Sequence, residues 1–186
     1  MSTIEKHLRV SGRVALSLLV KRKQSSTVQE FSAFLRFCPV LVGSSVSGVN
    51  LAQRLDDHEE DETFMLSYDS PEDALDEDDE DDSGHTLHRA IYPLVKDGGS
   101  MVESFTVGRG ADNDLIMADF AISKHHALIK IKLGQYLVTD CGSTNGTFVN
   151  DQRIKSQPHR LQDRDIVTFA RYEFAFVKPE TLYRHL

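Results

Sequence analysis

The chain has no tryptophan, only two cysteines and no apolar run long enough to cross a membrane. A membrane-spanning helix needs about 20 apolar residues, whereas the apolar run 14–20 is short and is bounded by Arg13 and Lys21. No small-residue cleavage site follows it, so it does not predict an export signal. Cys38 and Cys141 match no metal-ligand spacing, and free thiols in a reducing compartment fit them better than a disulfide. We therefore expect a soluble, cytoplasmic protein.

Basic residues are missing from one long segment of the chain. Residues 1–55 hold eight Lys and Arg against two acidic residues, whereas residues 56–82 hold sixteen acidic residues and no Lys or Arg. Such a dense run of like charges cannot sustain a core, so we expect 56–85 to be an acidic, disordered linker. The remaining residues are nearly neutral, and a nucleic-acid binder would carry a basic face on its folded domain. We therefore expect neither nucleic acid nor membrane as a partner.

The basic N-terminal arm, 1–55, contains one clear helix signal. Thr27 and Glu30 have capping-box spacing, and apolar residues recur at helical period until Pro39, which predicts a helix near 28–37. Residues 8–16 fit either a short hairpin around Ser-Gly or a helix. Residues 179–186 are expected to form a C-terminal tail.

From residue 86 onward the pattern changes to short strands and tight turns. Residues 127–133 alternate apolar and polar side chains, as a half-buried strand does. The predicted strands include Ile91–Val95, Phe105–Val107, Leu115–Met117, Ala127–Leu133, Tyr136–Asp140, Thr147–Asn150, Asp165–Phe169 and Tyr172–Val177. About ten short strands without helical period predict an all-β fold, an antiparallel two-sheet β-sandwich over 86–178.

Three turns of this region carry a set of polar residues with characteristic spacing. They read Gly108-Arg109, then Ile122-Ser123-Lys124-His125-His126-Ala127, then Gly142-Ser143-Thr144-Asn145-Gly146-Thr147-Phe148-Val149-Asn150. At these residues the chain closely resembles the forkhead-associated (FHA) domain, a phosphothreonine-binding β-sandwich. The signature of that family is Gly-Arg, then Ser-Arg-x-His, then Ser-x-Asn-Gly-Thr followed by an Asn.

The resemblance implies a phosphopeptide-binding site at Arg109, Ser123, Lys124, Thr144 and Asn145. A phosphothreonine carries about −1.5 to −2 charges and three acceptor oxygens, so its receptor needs several fixed donors. Arg109 would make the main phosphate contact, with the hydroxyls of Ser123 and Thr144 beside it. Asn145 would hold the peptide main chain, and Lys124, where the family often has Arg, would flank both with a more adaptable contact.

Four further residues are implied to support this site. His126 occupies the buried histidine position of the family, which ties the recognition loops together. Gly108 and Gly146 lie where a side chain would crowd a turn. Asn150 is expected to brace the loop that carries Thr144 and Asn145.

The same residues do not fit a metal site, a hydrolase triad or a dinucleotide-binding motif. His125 and His126 are strand neighbours and point to opposite faces, which argues against a metal site. Ser123, His126 and Asp140 lack the nucleophile elbow of a hydrolase, and Gly108-Arg-Gly110 lacks the third glycine of a dinucleotide fingerprint. We therefore expect no catalytic residues, no metal and no cofactor.

The expected partner is a threonine-phosphorylated protein, a Ser/Thr kinase or its substrate, bound in kinase-dependent signalling. A second hypothesis is that Thr27, Thr63 or Thr86 is phosphorylated and is bound by this same domain, within or between molecules. A third is that the acidic segment folds back onto the pocket of Arg109 and Lys124 and competes there with phosphate. The alternative is a phosphate-independent interaction scaffold of the same fold that uses the N-terminal arm as its contact.

Overall fold

The computed structural model describes residues 3–43, 87, 90–95 and 104–186. The described helices are a 3-10 helix Ile4–His7, α1 Leu16–Gln24, α2 Val28–Phe34 and α3 Pro179–His185. The described strands are β1 Val40–Gly43, β2 Ile91–Pro93, β3 Ser104–Gly108, β4 Leu115–Ile116, β5 Ala127–Lys132, β6 Gln135–Asp140, β7 Thr147–Val149, β8 Gln152–Ile154, β9 His159–Arg160, β10 Ile166–Phe169 and β11 Tyr172–Val177.

The strands form two facing sheets. One sheet has the order β2-β1-β11-β10-β7-β8, and the other has the order β4-β3-β5-β6-β9. The predicted all-β sandwich is confirmed, with one difference: β3 and β4 pair in parallel, Val107 opposite Leu115. Strands β8 and β9 were not predicted, because they are short and mostly polar, and Ile154 is the one buried residue in them.

Strand β1 comes from the N-terminal arm and lies in the middle of the six-stranded sheet. It pairs with β11, Val40 opposite Val177, and on its other side with β2, Val42 opposite Ile91. All four of its residues are buried, since its alternate side chains enter cores on both faces of the sheet. The sequence analysis assigned no strand here, because a run that is buried on both faces shows no alternation. The sandwich therefore begins well before residue 86.

A layer of helices covers the outer face of the six-stranded sheet. Phe31 and Leu35 from α2 and its C-terminus are completely buried there against β1 and β11. The predicted capping box at the start of α2 is present, with Thr27 Oγ1 accepting from the Glu30 N–H at 3.3 Å. Helix α3 packs on α2 through an edge-on contact between Tyr183 and Phe31. Residues 179–186 thus fold as part of this layer, and none of the described helices is long and apolar enough to cross a membrane.

The segment before α1 joins the edges of the two sheets. The Val14 N–H donates to Ile91 O in one sheet at 3.0 Å, and the Ile116 N–H in the other sheet donates to Ser11 O at 3.1 Å. The buried Arg13 donates to the Tyr92 hydroxyl, which in turn donates to Ile116 O. Of the two alternatives for residues 8–16, the structure is nearer to the hairpin. The chain reverses at 10–12, where the Arg9 N–H donates to Arg13 O and the Gly12 N–H donates to Arg9 O, both at 2.9 Å, but no regular strands flank this turn and α1 begins only at Leu16.

The acidic segment connects two neighbouring strands, β1 and β2. Its predicted disorder over 56–85 lies outside the described residues. Gly43 and Ala90 are described residues on either side of this segment, and the Gly43 N–H donates a hydrogen bond to Ala90 O at 2.9 Å. Gly43 pairs with Phe174 near the start of β11, and the β10–β11 turn is bonded to Gly146 through the Ala170 N–H. The segment therefore departs from the end of the sandwich at which Gly146 lies.

Candidate functional site

Three loops meet at one end of the sandwich and bring the predicted site residues together. Arg109 follows β3, Ser123 precedes β5, and Thr144 lies between β6 and β7. The Thr144 N–H donates to Ser123 Oγ at 3.0 Å, and the two hydroxyl oxygens are 3.5 Å apart. The Arg109 N–H donates to Ser123 O at 3.0 Å. The backbones of the three loops are therefore tied to one another at Ser123.

The same loops carry two cationic side chains that have no acidic partner among the described residues. Arg109 and Lys124 are exposed, and their side chains form no hydrogen bond or ion pair with any residue that the structure describes. The neighbouring acid Asp112 lies 3.5 Å from His125 instead. The loops thus present a positive field with unused donors, which favours a dianion over a neutral ligand.

Asn145 is placed to contact an extended backbone. Its side chain is exposed, and its Nδ2 donates to Ala121 O at 2.7 Å, which fixes the amide plane. Its Oδ1 bonds to no residue in the described part of the chain and is free to accept an N–H. A fixed amide with a free acceptor suits the main chain of a bound peptide.

His126 connects two of the loops from beneath. It is fully buried, and its Nδ1 accepts from the Ser123 N–H at 3.1 Å. Its Nε2 lies 3.1 Å from Gly146 O, so the neutral ring with a proton on Nε2 satisfies both contacts. The edge of the ring also meets Phe169 at a centroid distance of 5.9 Å. One side chain therefore sets the distance between the Ser123 and Thr144 loops.

Replacing His126 by Ala should lower the unfolding free energy by about 3 kcal/mol, because a packed ring and two buried hydrogen bonds are lost. Burial lowers the pKa of His126, although the bond to Gly146 and the charge of Asp140 raise it. The unfolded chain takes up a proton near pH 6.5, before the folded chain does. The stability that the neutral ring contributes is therefore present above pH 6.5 and declines as the pH falls toward the lowered pKa.

Urea titrations at pH 7.5 and 5.5 measure this effect. The wild type should lose stability on acidification, and the His126→Ala variant should lose less. His125→Ala is the matched control, because His125 is exposed, and it should behave as the wild type does. Equal losses in wild type and His126→Ala would contradict the prediction.

Asp140, at the end of β6, organises the loop that carries Thr144. Its carboxylate accepts from the Gly142 N–H at 2.9 Å, from Ser143 Oγ at 2.6 Å and from Thr147 Oγ1 at 2.7 Å. Burial raises the pKa of Asp140, but the hydrogen bonds from Ser143, Thr147 and Gly142 outweigh it and leave the pKa lowered. Sequence analysis considered this residue only as a triad member. Its position at a strand end before Gly-Ser was the available signal.

Asn113 and Gly108 fix the Arg109 loop against the Ser123 loop. Asn113 is buried, and its Nδ2 donates to Gly110 O and to Lys124 O, both at 2.8 Å. A Cβ on Gly108 would lie 2.3 Å from Lys124 O, so only glycine permits this approach. Sequence analysis missed Asn113, because a lone Asn in a turn gives no sign of a contact eleven residues away.

The other two predicted supporting residues lie at opposite ends of β7. Gly146 has φ +88°, a conformation that favours glycine, and its carbonyl meets His126. Asn150 lies beyond the far end of the strand, where its Nδ2 donates to Asp165 at 2.9 Å and its Oδ1 accepts from the Ile166 N–H at 2.9 Å. The expectation that Asn150 braces the loop carrying Thr144 is therefore corrected: it braces the entry into β10.

No group of three or more His, Cys, Asp or Glu that could hold a metal ion occurs among residues 3–43, 87, 90–95 and 104–186. Both cysteines are free thiols. What the loops offer is a set of hydrogen-bond donors with two cations.

Comparison with known proteins identifies the region that carries these loops. The family model described as FHA domain matches residues 105–170. The oxoglutarate dehydrogenase inhibitor of Corynebacterium efficiens is 35% identical over 72 residues, 39% of this chain and 49% of that protein. The glycogen accumulation regulator GarA of Mycolicibacterium smegmatis is 32% identical over 72 residues, 39% of this chain and 44% of that protein. The chain thus spans about half the length of these curated relatives.

A solved structure shows a similar likeness over part of the chain. Mycobacterium tuberculosis EmbR in complex with a low-affinity phosphopeptide is 33% identical, with a TM-score of 0.39. The match covers 41% of this chain and 20% of that one.

Proposed function

We propose that this chain, whose residues 105–170 match the family model described as FHA domain, is a non-catalytic reader of phosphothreonine peptides that recruits phosphorylated partners in kinase-dependent signalling. The observation that carries the proposal is the meeting of three loops at Ser123, with Thr144 Oγ1 3.5 Å from Ser123 Oγ and the exposed Arg109 and Lys124 beside them. No catalytic step is assigned to these residues.

Each side chain has a distinct role in this proposal. Arg109 gives the phosphate a forked, charge-assisted contact, and Lys124 adds a point charge that tolerates several positions of the ligand. Ser123 and Thr144 donate their hydroxyl protons to phosphate oxygens. Asn145 accepts an N–H of the peptide main chain through its free Oδ1. These contacts, less the cost of ordering a peptide, correspond to a dissociation constant on the order of micromolar.

The partner is proposed to be a threonine-phosphorylated protein in the cytoplasm, a Ser/Thr kinase or its substrate. Self-recognition is a second hypothesis, and one observation favours it: the segment that contains Thr63 is attached at Gly43 and Ala90, at the end of the sandwich that carries the loops. A tethered ligand acts at an effective concentration near millimolar for a short flexible connection. Thr27 is a weaker candidate, because its hydroxyl caps α2.

Calorimetric titration with a phosphothreonine peptide library tests the proposal. The library includes peptides centred on Thr63 and Thr86, and each peptide has a bare and a phosphoserine counterpart. We expect binding to phosphothreonine peptides and at least tenfold weaker binding to bare ones, a difference of about 1.4 kcal/mol. Equal affinity for phosphorylated and bare peptides would favour the phosphate-independent scaffold.

The structure limits how that scaffold could work. The apolar face of α2, which the alternative uses as its contact, is covered: Phe31 is buried against Tyr183 of α3, and Phe34 is buried beside His7 and Arg22. A partner would have to displace this layer to reach it. The exposed loops around Ser123 and Thr144 are therefore a better-supported binding surface than the covered face of α2.

A further inference from the structure

Phe120 is the most exposed large apolar side chain among the described residues, at 98% of its maximal accessibility. It lies between β4 and β5, in the loop that ends with Ser123. A single exposed apolar side chain is ordinary on a protein surface. Phe120 differs because of the rigid turn that carries it and the side chains that surround it.

Hydrogen bonds fix the turn on both sides of the ring. Asp119 Oδ1 accepts from the Ala121 N–H at 2.7 Å, and Asp119 O accepts from the Ile122 N–H at 3.0 Å. Asp119 Oδ2 also pairs with Arg171 at 3.0 Å, which anchors the turn to the β10–β11 hairpin. The side chain of Ile122 is completely buried in the core. With its neighbours held in this way, Phe120 is pre-positioned in solvent.

The ring stands beside the part of the site assigned to the peptide main chain. Ala121, the residue after Phe120, accepts the hydrogen bond from Asn145 Nδ2 at 2.7 Å. Consecutive Cα atoms are about 3.8 Å apart, so a main chain held by Asn145 passes close to Phe120. An extended peptide advances about 3.3 Å per residue. The peptide side chain nearest to the ring therefore lies within about three positions of the phosphothreonine.

We propose that Phe120 is a specificity-determining contact, which packs on an apolar side chain flanking the phosphothreonine. This inference rests on the proposed function. The charged groups of the turn that carries the ring, Asp119 and Arg171, are paired with each other. A fixed aromatic ring loses little conformational entropy on binding. The phosphate contacts thus supply affinity, and Phe120 selects among phosphorylated sequences.

The first test compares Phe120→Ala with the wild type on phosphothreonine peptides in which each flanking position is in turn Leu or Ser. The wild type should prefer Leu at one position by about fivefold, the gain from partly burying one apolar side chain. Phe120→Ala should lose that preference and keep its dependence on phosphate. Leu133→Ala is the matched control: it is 93% exposed in the β5–β6 turn, away from the loops, and should keep the preference.

A second test reads the contact directly. Because the chain has no tryptophan, Phe120→Trp places the only tryptophan of the chain at this position, and its emission can be excited selectively over that of tyrosine. Addition of the preferred phosphopeptide should shift its emission to shorter wavelength, whereas Leu133→Trp should show no shift.

The outcomes separate this inference from the proposed function. Phosphate-dependent binding with an unchanged preference in Phe120→Ala, or with no spectral shift in Phe120→Trp, would overturn the Phe120 contact alone. Binding that ignores phosphate in the wild type would overturn the proposed function, and the contact proposed beside it would fall too.

Discussion

A chain that begins at residue 86 is expected to lose the cooperative unfolding transition of the full-length protein. Its six-stranded sheet would lack β1, so β2 and β11 would have no partner between them. The fully buried Leu41 would leave a gap in the inter-sheet core, and Val177 would lose the part of its helical cover that α1 and α2 supply. One large buried side chain is worth about 2–5 kcal/mol, and many are lost here, more than the 5–15 kcal/mol by which domains are stable.

Thermal and urea unfolding followed by circular dichroism measure this outcome. The control removes only residues 46–85 and joins the ends with a short Gly-Ser linker, so it deletes the same acidic segment but leaves the N-terminal layers in place. This control retains β1 and the bond between Gly43 and Ala90, so it should unfold cooperatively like the parent. A stable, cooperative fragment 86–186 would show that the N-terminal layers are dispensable.

Substitution of Arg109 by Ala is expected to weaken phosphothreonine-peptide binding by at least about 100-fold, because two charge-assisted hydrogen bonds of about 1.5–3 kcal/mol each are removed. Arg109→Lys should recover part of the loss, since a point charge replaces the fork. The unfolding free energy should change by less than about 0.5 kcal/mol, as is usual for exposed residues without partners. Calorimetric titration with one phosphopeptide gives the affinities.

Lys132→Ala is the control for charge alone. It removes an exposed cation from the same domain, at the end of β5 opposite to the loops, and should leave binding within about twofold at physiological salt. Equal weakening by Arg109→Ala and Lys132→Ala would mean that the affinity for the phosphopeptide depends only on the net charge of the domain. In that case the proposed guanidinium contact would be wrong.

The sandwich and the loop motifs could be predicted because their signals are local. Strands β5 and β6 alternate between core and solvent, and the turn residues around Arg109, Ser123 and Thr144 have fixed spacings. Asn113 was out of reach for the opposite reason: it donates to a carbonyl of another loop, and only the folded chain shows which one. Asp140 bonds within its own loop and had a local signal, its position at a strand end before Gly-Ser.

The N-terminal contribution to the fold escaped prediction for a different physical reason. The segment Val40–Gly43 is short, follows Pro39 and is buried on both faces, so neither length nor alternation marks it as a strand. Its partner β11 lies at the other end of the sequence. Helix α3 had one available signal, Pro179 in its first turn, in a segment that was taken for a tail.

The position of β1 also has a consequence for biosynthesis. Val40 emerges from the ribosome well before its partner Val177, which lies more than a hundred residues later in the chain. Pairings between such distant segments slow folding, and an unpaired strand edge favours aggregation in the meantime. The nascent chain must therefore keep Val40–Gly43 unpaired on this side until β11 has been made, and we expect chaperones to protect this short strand during that interval.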